Sequence, residues 1–577
     1  MMKRILVINF TRMGDIVQTS PLITGMRQKW GHTEIDLLVM RGFSAIAELI
    51  PGVARVLQWD QDESVSSIVR GDSLADIYRY HRDFATGLCE VNYDLIINVT
   101  HSNESAILLR LLRGSDKRGI LLDDLGRKLT AHPWIDYFFN VTANRGFNDF
   151  NLADIYRRIG DLNSGEGGRL KLQPPADAIA RASCLLSDLP ADRSFRVALQ
   201  PGANRENRRW PAARYAELAR RLYTEYDAAP LLIGSQGERQ LTEQICELAA
   251  VPLLNLAGAT TVPQLVALLG QCDLLISNDT GSMHIAAAMD TPTVALFMAT
   301  ALPHETCVYS EQTIVLQPTL ECAPCSHQVV CPHQRCRQEI QVETVLQAIA
   351  YSRGETVDFT GISGVRVLQP RFNRDGMLQL RRLSRERLRA EHLVTAAYRL
   401  LWKTLLDDTP TDNNAEAHCR EQLASALPEQ LEILQDFVLP QLPSETAELS
   451  KVLDNYRQTL GRVEQLGRRG FAAATTLDRS SDPELLLQAV SEITSLDNRL
   501  FQLEMQHQFI RPLCVLYRFN RENMSSDDID YLAHAGKAMY HTLEVRARLL
   551  AWSLLVLQQG LLQPEISCEL VGELMDA

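Results

Sequence analysis

The chain has 577 residues, of which 46% are hydrophobic and 22% charged, with a formal net charge of −13. That length gives room for roughly two to four domains with sizeable cores, and the composition is that of a soluble globular protein. The acidic balance argues against a general nucleic-acid binder but leaves room for a local basic site. No run of about 18 apolar residues occurs, so no transmembrane helix is expected. The N-terminus enters directly as strand, without a signal-peptide pattern, so a cytoplasmic location is expected.

Residues 1–185 alternate short apolar runs with amphipathic stretches. Strands are expected at Ile5–Phe10, Glu34–Val39, Arg55–Gln58, Leu95–Asn98 and Lys117–Leu121, in βαβ units that build a parallel sheet. The loop after the first strand carries Arg12, Gly14 and Asp15 before a helix that starts near Ile16. A second alternating block opens near Ser194. Its strands are expected at Val197–Gln200, Pro230–Ile233, Leu253–Asn255, Leu274–Ser277 and Thr293–Phe297, with helices starting near Pro211, Gly237, Val262 and Met283. Two doubly wound halves in tandem imply a cleft, with ligands at the carboxyl ends of the strands that face it.

Two segments of the second block carry the strongest chemistry. In Leu274 to Ala288 a buried-strand pattern runs through a polar turn into an Ala-rich helix pattern. Asp279 and Thr280 suit an N-cap, and Gly281 lets a ligand approach the backbone. Such a turn leaves free N–H groups and a positive dipole end, a site for phosphate or pyrophosphate. Pro201-Gly202-Ala203 ends the strand at Gln200, and Arg205, Arg208 and Arg209 crowd the turn before the helix at Pro211. Arginines at that place form a second anion site.

The twelve cysteines divide into eight scattered singly and four clustered as Cys322-x2-Cys325-x5-Cys331-x4-Cys336. In a cytoplasmic chain the cluster reads as a metal knuckle for one structural zinc or iron; regulatory disulfides or unligated thiols are the alternatives. His327 and His333 lie inside the loop and could replace a cysteine. Residues 190–355 thus form the second α/β domain with the cluster at its end. From 360 to 577 the pattern changes: Asp375-Gly376 between apolar runs signals a hairpin, and a bundle of five to seven helices follows. The run Arg381 to Arg389 is the dense basic patch of the chain, expected as a solvated helix face or as a contact for an anionic acceptor or lipid surface.

Thr11-Arg12-Met13-Gly14-Asp15-Ile16-Val17-Gln18-Thr19-Ser20-Pro21, Pro201-Gly202-Ala203, Arg208-Arg209-Trp210-Pro211, Leu256-Ala257-Gly258 and Asn278-Asp279-Thr280-Gly281-Ser282-Met283-His284 occur in an order and spacing that resemble the heptosyltransferases of glycosyltransferase family 9. The resemblance covers roughly residues 1–350 and implies a GT-B architecture. It implies two tandem Rossmann-like doubly wound domains facing a cleft, the first binding acceptor and the second donor, with the mostly helical region added. It also implies inverting transfer of a sugar, heptose from ADP-heptose, onto lipopolysaccharide core or a protein. Asp15 matches the family's proposed general base. Arg208, Arg209, Glu238, Asp279, Thr280, Gly281, Ser282 and His284 fall at donor-binding positions, and Arg12 and Gly14 at an acceptor or phosphate loop. The cationic side chains and helix starts of the second block can take the place of a divalent ion, so no catalytic metal is expected.

Some relatives hold iron at a similar cysteine cluster. The family's Gly-Pro-Thr after the last strand is replaced here by Phe297 to Pro303. Further expectations are association with a membrane surface, a homo-oligomer, and a place at the inner face of the bacterial inner membrane. The competing reading is a non-catalytic GT-B protein that binds a nucleotide sugar for assembly.

Overall fold

The computed structural model describes residues 3–562 apart from 61, 72, 124, 142–144, 163–164, 326–330, 408–412, 523 and 525–528. The chain divides into two compact units, one of Met1–Gly119 with Phe150–Arg385, the other of Ile120–Asp149 with Glu386–Ala577.

The first unit holds two sheets. Strands β1 (Lys3–Asn9), β2 (Thr33–Met40), β3 (Val53–Trp59), β4 (Tyr93–Asn98) and β5 (Gly114–Leu122) run parallel in the order β3-β2-β1-β4-β5. Ile5, Leu6, Val7 and Ile8 of the central strand are fully buried, as a parallel strand covered on both faces requires. The chain passes β6 (Lys128–Ala131) in the other unit and returns.

The second sheet contains β7 (Phe195–Gln200), β8 (Ala228–Leu232), β9 (Leu254–Asn255), β10 (Leu274–Asn278), β11 (Thr293–Leu296), β12 (Thr313–Pro318), β13 (Val365–Phe372) and β14 (Leu378–Arg382), in the order β14-β13-β12-β11-β10-β7-β8-β9. From β9 to β12 the pairing is parallel, and the last two strands are antiparallel. Val197, Leu199, Leu274, Ile276, Val294 and Leu296 form its buried centre.

The ten expected strands all appear, within three residues of the expected bounds. Two expectations change. The hairpin does not open the helical region: β13 pairs with β12 and completes the second sheet. Nor does the arginine run form a helix face: Arg381 and Arg382 end β14, and Ser384 Oγ accepts the Val367 N–H at 2.9 Å.

The hairpin turn is fixed by Asn373, whose Oδ1 accepts from the N–H of Asp375 and Met377 at 3.1 and 2.8 Å, and by Gly376 at φ 67°. Its tip reaches the helix Leu152–Ile159. There the buried Asp154 accepts the Leu378 N–H at 2.8 Å and the Tyr309 hydroxyl at 2.5 Å, while Arg157 donates to the Gly376 carbonyl at 2.9 Å.

In the second unit, six α-helices follow residue 390 among the described residues: Ala390–Asp407, Asn413–Gln435, Pro443–Arg479, Pro483–Gln506, Arg511–Glu522 and Ile529–Leu562. Gly470 lets the two longest meet, since a Cβ there would lie 2.1 Å from Tyr540 Cδ1. The segment from 120 to 149 belongs with them: Trp134 Nε1 donates to Asp407 at 2.9 Å, and buried Arg399 pairs with Asp149 at 3.2 Å. No helix among the described residues is long and apolar enough to cross a membrane.

Candidate active site

The loop after β1 is shaped by a buried side chain. Asn9 is fully buried; its Oδ1 accepts the Thr11 N–H at 3.0 Å, and its Nδ2 donates to the Asp15 carbonyl at 3.3 Å. The Phe10 N–H is taken by Thr100 Oγ1 at 2.9 Å. The chain turns sharply into the short helix Met13–Val17, where Asp15 accepts the Arg12 N–H at 3.3 Å. Burial raises the proton affinity of Asp15 above the ordinary carboxylate range; Arg12 and Thr11 oppose this, and Asp279 adds to it. Buried Tyr156, not anticipated from sequence, feels the Asp15 charge and is itself held protonated by burial.

The second half contributes a cationic, amide-rich wall. After β7 the chain runs through Pro201-Gly202-Ala203, whose carbonyls are tied down. Asn278 Nδ2 donates to Pro201 and Gly202 at 2.8 and 3.1 Å, and Arg209 donates twice to Ala203 at 3.0 and 2.9 Å. Asn278 Oδ1 also takes the Trp210 N–H at 3.0 Å, so one buried amide aligns both loops. Arg208 pairs with Asp279 at 3.1 Å and donates from Nε to Thr300 Oγ1 at 2.9 Å. Glu238 closes a capping box with Ser235, and its carboxylate lies over Gly202, where a Cβ would fall 1.6 Å from Oε1.

The helix Gly281–Ala288 starts against the first half. Thr280 is its N-cap, but the Thr280 hydroxyl bonds to Ser277 Oγ at 3.0 Å instead of capping. Gly281 and Gly14 make the crossing tight. A Cβ on Gly281 would sit 2.7 Å from Met13 Cε, and one on Gly14 would sit 2.9 Å from His284 Cδ2. His284 is buried in the second turn, with Nδ1 lacking a hydrogen-bond partner and its pKa lowered to about 4 by burial, so the imidazole is neutral.

These elements line a cleft of about 460 Å³. Arg12, Arg208, Glu238, Asp279, Thr280, Gly281 and Ser282 open onto it, and Asn204, Thr260 and Thr261 join them without having been anticipated. The Thr261 cap, in a box with Gln264, was legible as a helix start but not as a cleft wall. Gly14 and His284 pack behind the lining, and Arg209 braces the loop at Ala203.

The cysteine segment is fastened to the second-half loops behind this cleft. The Cys325 N–H donates to Ala299 at 2.8 Å, Arg337 Nε donates to the Arg209 carbonyl at 2.7 Å, and Trp210 Nε1 donates to Ile340 at 2.9 Å. Burial, followed by the neighbouring cysteines, pushes the Cys325 thiol up; burial likewise raises Cys336. Among the described residues no three His, Cys, Asp or Glu side chains converge to hold a metal ion, so the thiols as placed do not fit a closed site. His327 lies outside the described residues.

The family model described as glycosyltransferase family 9 (heptosyltransferase) matches residues 159–334. Lipooligosaccharide heptosyltransferase 2 of Haemophilus ducreyi is 26% identical over 335 residues, spanning 54% of this chain and 88% of the relative. Lipopolysaccharide heptosyltransferase 1 of Pseudomonas aeruginosa is 26% identical over 355 residues, spanning 58% and 89%. A lipooligosaccharide heptosyltransferase 2 of Campylobacter jejuni is 29% identical over 346 residues, spanning 59% and 96%. Among solved structures, a glycosyl transferase family 9 protein from Veillonella parvula aligns with a TM-score of 0.47 at 18% identity, covering 61% of this chain and 98% of that one. Residues 159–334 carry the match to glycosyltransferase family 9, the heptosyltransferase relatives extend it over a little more than half of the chain, and a C-terminal helical region is added. The chain is a glycosyltransferase of the GT-B type, with its two doubly wound sheets in one unit.

Proposed function

We propose that this enzyme moves a heptose from ADP-heptose, with inversion, to a hydroxyl of a lipopolysaccharide core or of a protein. One observation carries the reading: a carboxylate of raised proton affinity, Asp15, lies in the loop that crosses the helix start at Gly281, beside the paired Arg208 and Asp279. Asp15 takes the proton of the acceptor hydroxyl as that oxygen forms its bond to the anomeric carbon. The bond from this carbon to the phosphate oxygen breaks, and its electron pair leaves with the diphosphate. A single in-line displacement inverts the anomeric centre.

Arg208 and the N–H groups of Thr280, Gly281 and Ser282 stabilise the charge on the departing diphosphate, a task that elsewhere falls to a divalent ion. Asp279 holds Arg208 in place before the donor arrives, and Glu238 takes the ribose hydroxyls. The relatives' names support the donor sugar. The replaced loop at Phe297 to Pro303, whose Thr300 holds Arg208, is where donor choice would shift. Arg12 and Gly14 guide the acceptor.

The test is incubation with a panel of nucleotide sugars, followed by mass spectrometry of the released nucleotide and the product. Release of ADP from ADP-heptose alone supports the reading. Binding without turnover of any donor would leave a non-catalytic sugar-nucleotide protein. A structural zinc or iron at Cys322, Cys325, Cys331 and Cys336 belongs to the same proposal and requires the thiols to draw together. Elemental analysis should find about one ion per chain; less than about 0.2 would leave free or oxidised thiols.

A further inference from the structure

The helical unit contains a cleft with no place in the transfer reaction. It measures about 370 Å³ and lies along the consecutive helices Pro443–Arg479 and Pro483–Gln506. Arg462, Gln465 and Leu466 line it from the first helix, and Arg499, Gln502 and Leu503 from the second. Each helix thus presents the same Arg-x-x-Gln-Leu spacing, which sets arginine, glutamine and leucine on one helical face. Arg469 and Gln506 extend the two rows by one turn.

The charge of this cleft is unbalanced. No aspartate or glutamate lines it. Arg469 is paired with Glu492, but Arg462 and Arg499 make no ion pair or hydrogen bond among the described residues. The amides of Gln465, Gln502 and Gln506 are likewise without hydrogen bonds among the described residues. Most arginines of this unit are neutralised locally, as Arg468 is by Glu464 and Glu544, and Arg518 by Glu504. In a chain of net charge −13, two uncommitted guanidinium groups in one concave site are a local exception.

We propose that this cleft binds an anionic saccharide, one that carries phosphate or carboxylate groups on a sugar ring. Arg462 and Arg499 supply the forked donors that such groups accept. The three amides can donate to and accept from ring hydroxyls, and the half-buried Leu503, above the buried Leu466, offers apolar surface to a C–H face of the ring. A free inorganic ion would use only the arginines, and a neutral sugar only the rest.

The site is tested by isothermal titration of the full-length chain with glucose 1,6-bisphosphate, with saturating ADP present to occupy the donor cleft. Maltose and inorganic phosphate form separate arms. Saturable binding of the bisphosphate is expected, with weaker binding of phosphate and none of maltose. The exposed pair R462E/R499E should lower the affinity at least about tenfold, the loss of charge-assisted contacts, and leave ADP binding unchanged. R462Q/R499Q repeats the measurement with the side chains' bulk largely kept, should the charge reversal disturb folding. R208A should leave the bisphosphate affinity intact, which separates failure here from failure of the donor reading. Unchanged affinity in both double variants, phosphate binding as tightly as the sugar, or no saturable binding would overturn the proposal.

Discussion

In the first half of the α/β unit, the loop after β1 presents one carboxylate whose burial raises its proton affinity. In the second half, the loops after β7 and β10 bring together Arg208, Asp279 and an uncapped helix start. Both halves are built around parallel strands and expose a loop at the carboxyl end of a central strand, yet one half carries a carboxylate of raised proton affinity and the other a cation with free amide donors. The difference lies in which side chain is left without compensation. Around Asp15 desolvation outweighs the Arg12 and Thr11 hydrogen bonds, whereas Asp279 is answered directly by Arg208. A doubly wound fold therefore serves either role, and the loop residues decide which.

The sharpest way to break this division is Asp15→Asn. Turnover should fall by about 10²–10⁴-fold, while ADP affinity measured by calorimetry stays near that of the parent. Because burial lifts the Asp15 pKa above its ordinary 3.8, the acid limb of kcat/KM in the parent should also lie above the usual carboxylate range. Near-normal turnover by the Asn variant would remove the base from the first half.

Gly14→Ala tests the crossing itself. The new Cβ would meet His284 Cδ2 at 2.9 Å, and that ring is buried and has little room to yield. Displacing the base from the helix start should cost about tenfold to a hundredfold in kcat, with a much smaller change in ADP affinity. An equal loss in both would show that the crossing supports the donor site alone.

Arg208→Ala should act on the other side of the division, weakening ADP by roughly 1.5–3 kcal/mol, about ten- to a hundredfold. Unchanged affinity would mean that Asp279, and not the nucleotide, is its partner in the loaded enzyme.

The smallest effect concerns stability. A folded-state pKa raised above the unfolded one contributes stability that is complete below the unfolded pKa and lost as pH rises through the folded pKa. Ionised Asp15 therefore destabilises the unit at neutral pH. Asp15→Asn should raise the first thermal transition at pH 7 by about 1–3 °C, and the gain should vanish below the ordinary carboxylate value of 3.8. A lower transition temperature in the variant would show that the carboxylate's hydrogen bonds outweigh its burial.

Much of this was legible in the residue pattern because period and punctuation agree. The run Leu274 to Ile276 followed by Asp279, Thr280 and Gly281 can hardly form anything but strand, turn and helix. Strand β12 was missed, since Thr313–Pro318 is short and its buried glutamine and proline obscure the apolar run. The arginine run misled for a related reason. Its helix-like composition says nothing of the ladder that β14 makes with β13. At the site, the residue types were readable but their pairing was not. Arg208 and Asp279 lie 71 positions apart, and nothing in either local window says that they meet. The role of Asn278 was hidden likewise, because a buried amide that aligns two loops looks in sequence like an ordinary turn residue.

Cys325 and the stretch from Arg337 to Ile340 are tied to the loops behind the cleft at three points: Ala299, the Arg209 carbonyl and the Trp210 indole. These ties work as a brace: a change of length or shape between Cys325 and Ile340 would shift the loops at Ala299 and Arg209, which carry Thr300 and Arg208. Insertions and deletions there should accordingly be read first as changes in how Arg208 is held, and only second as damage to a surface loop.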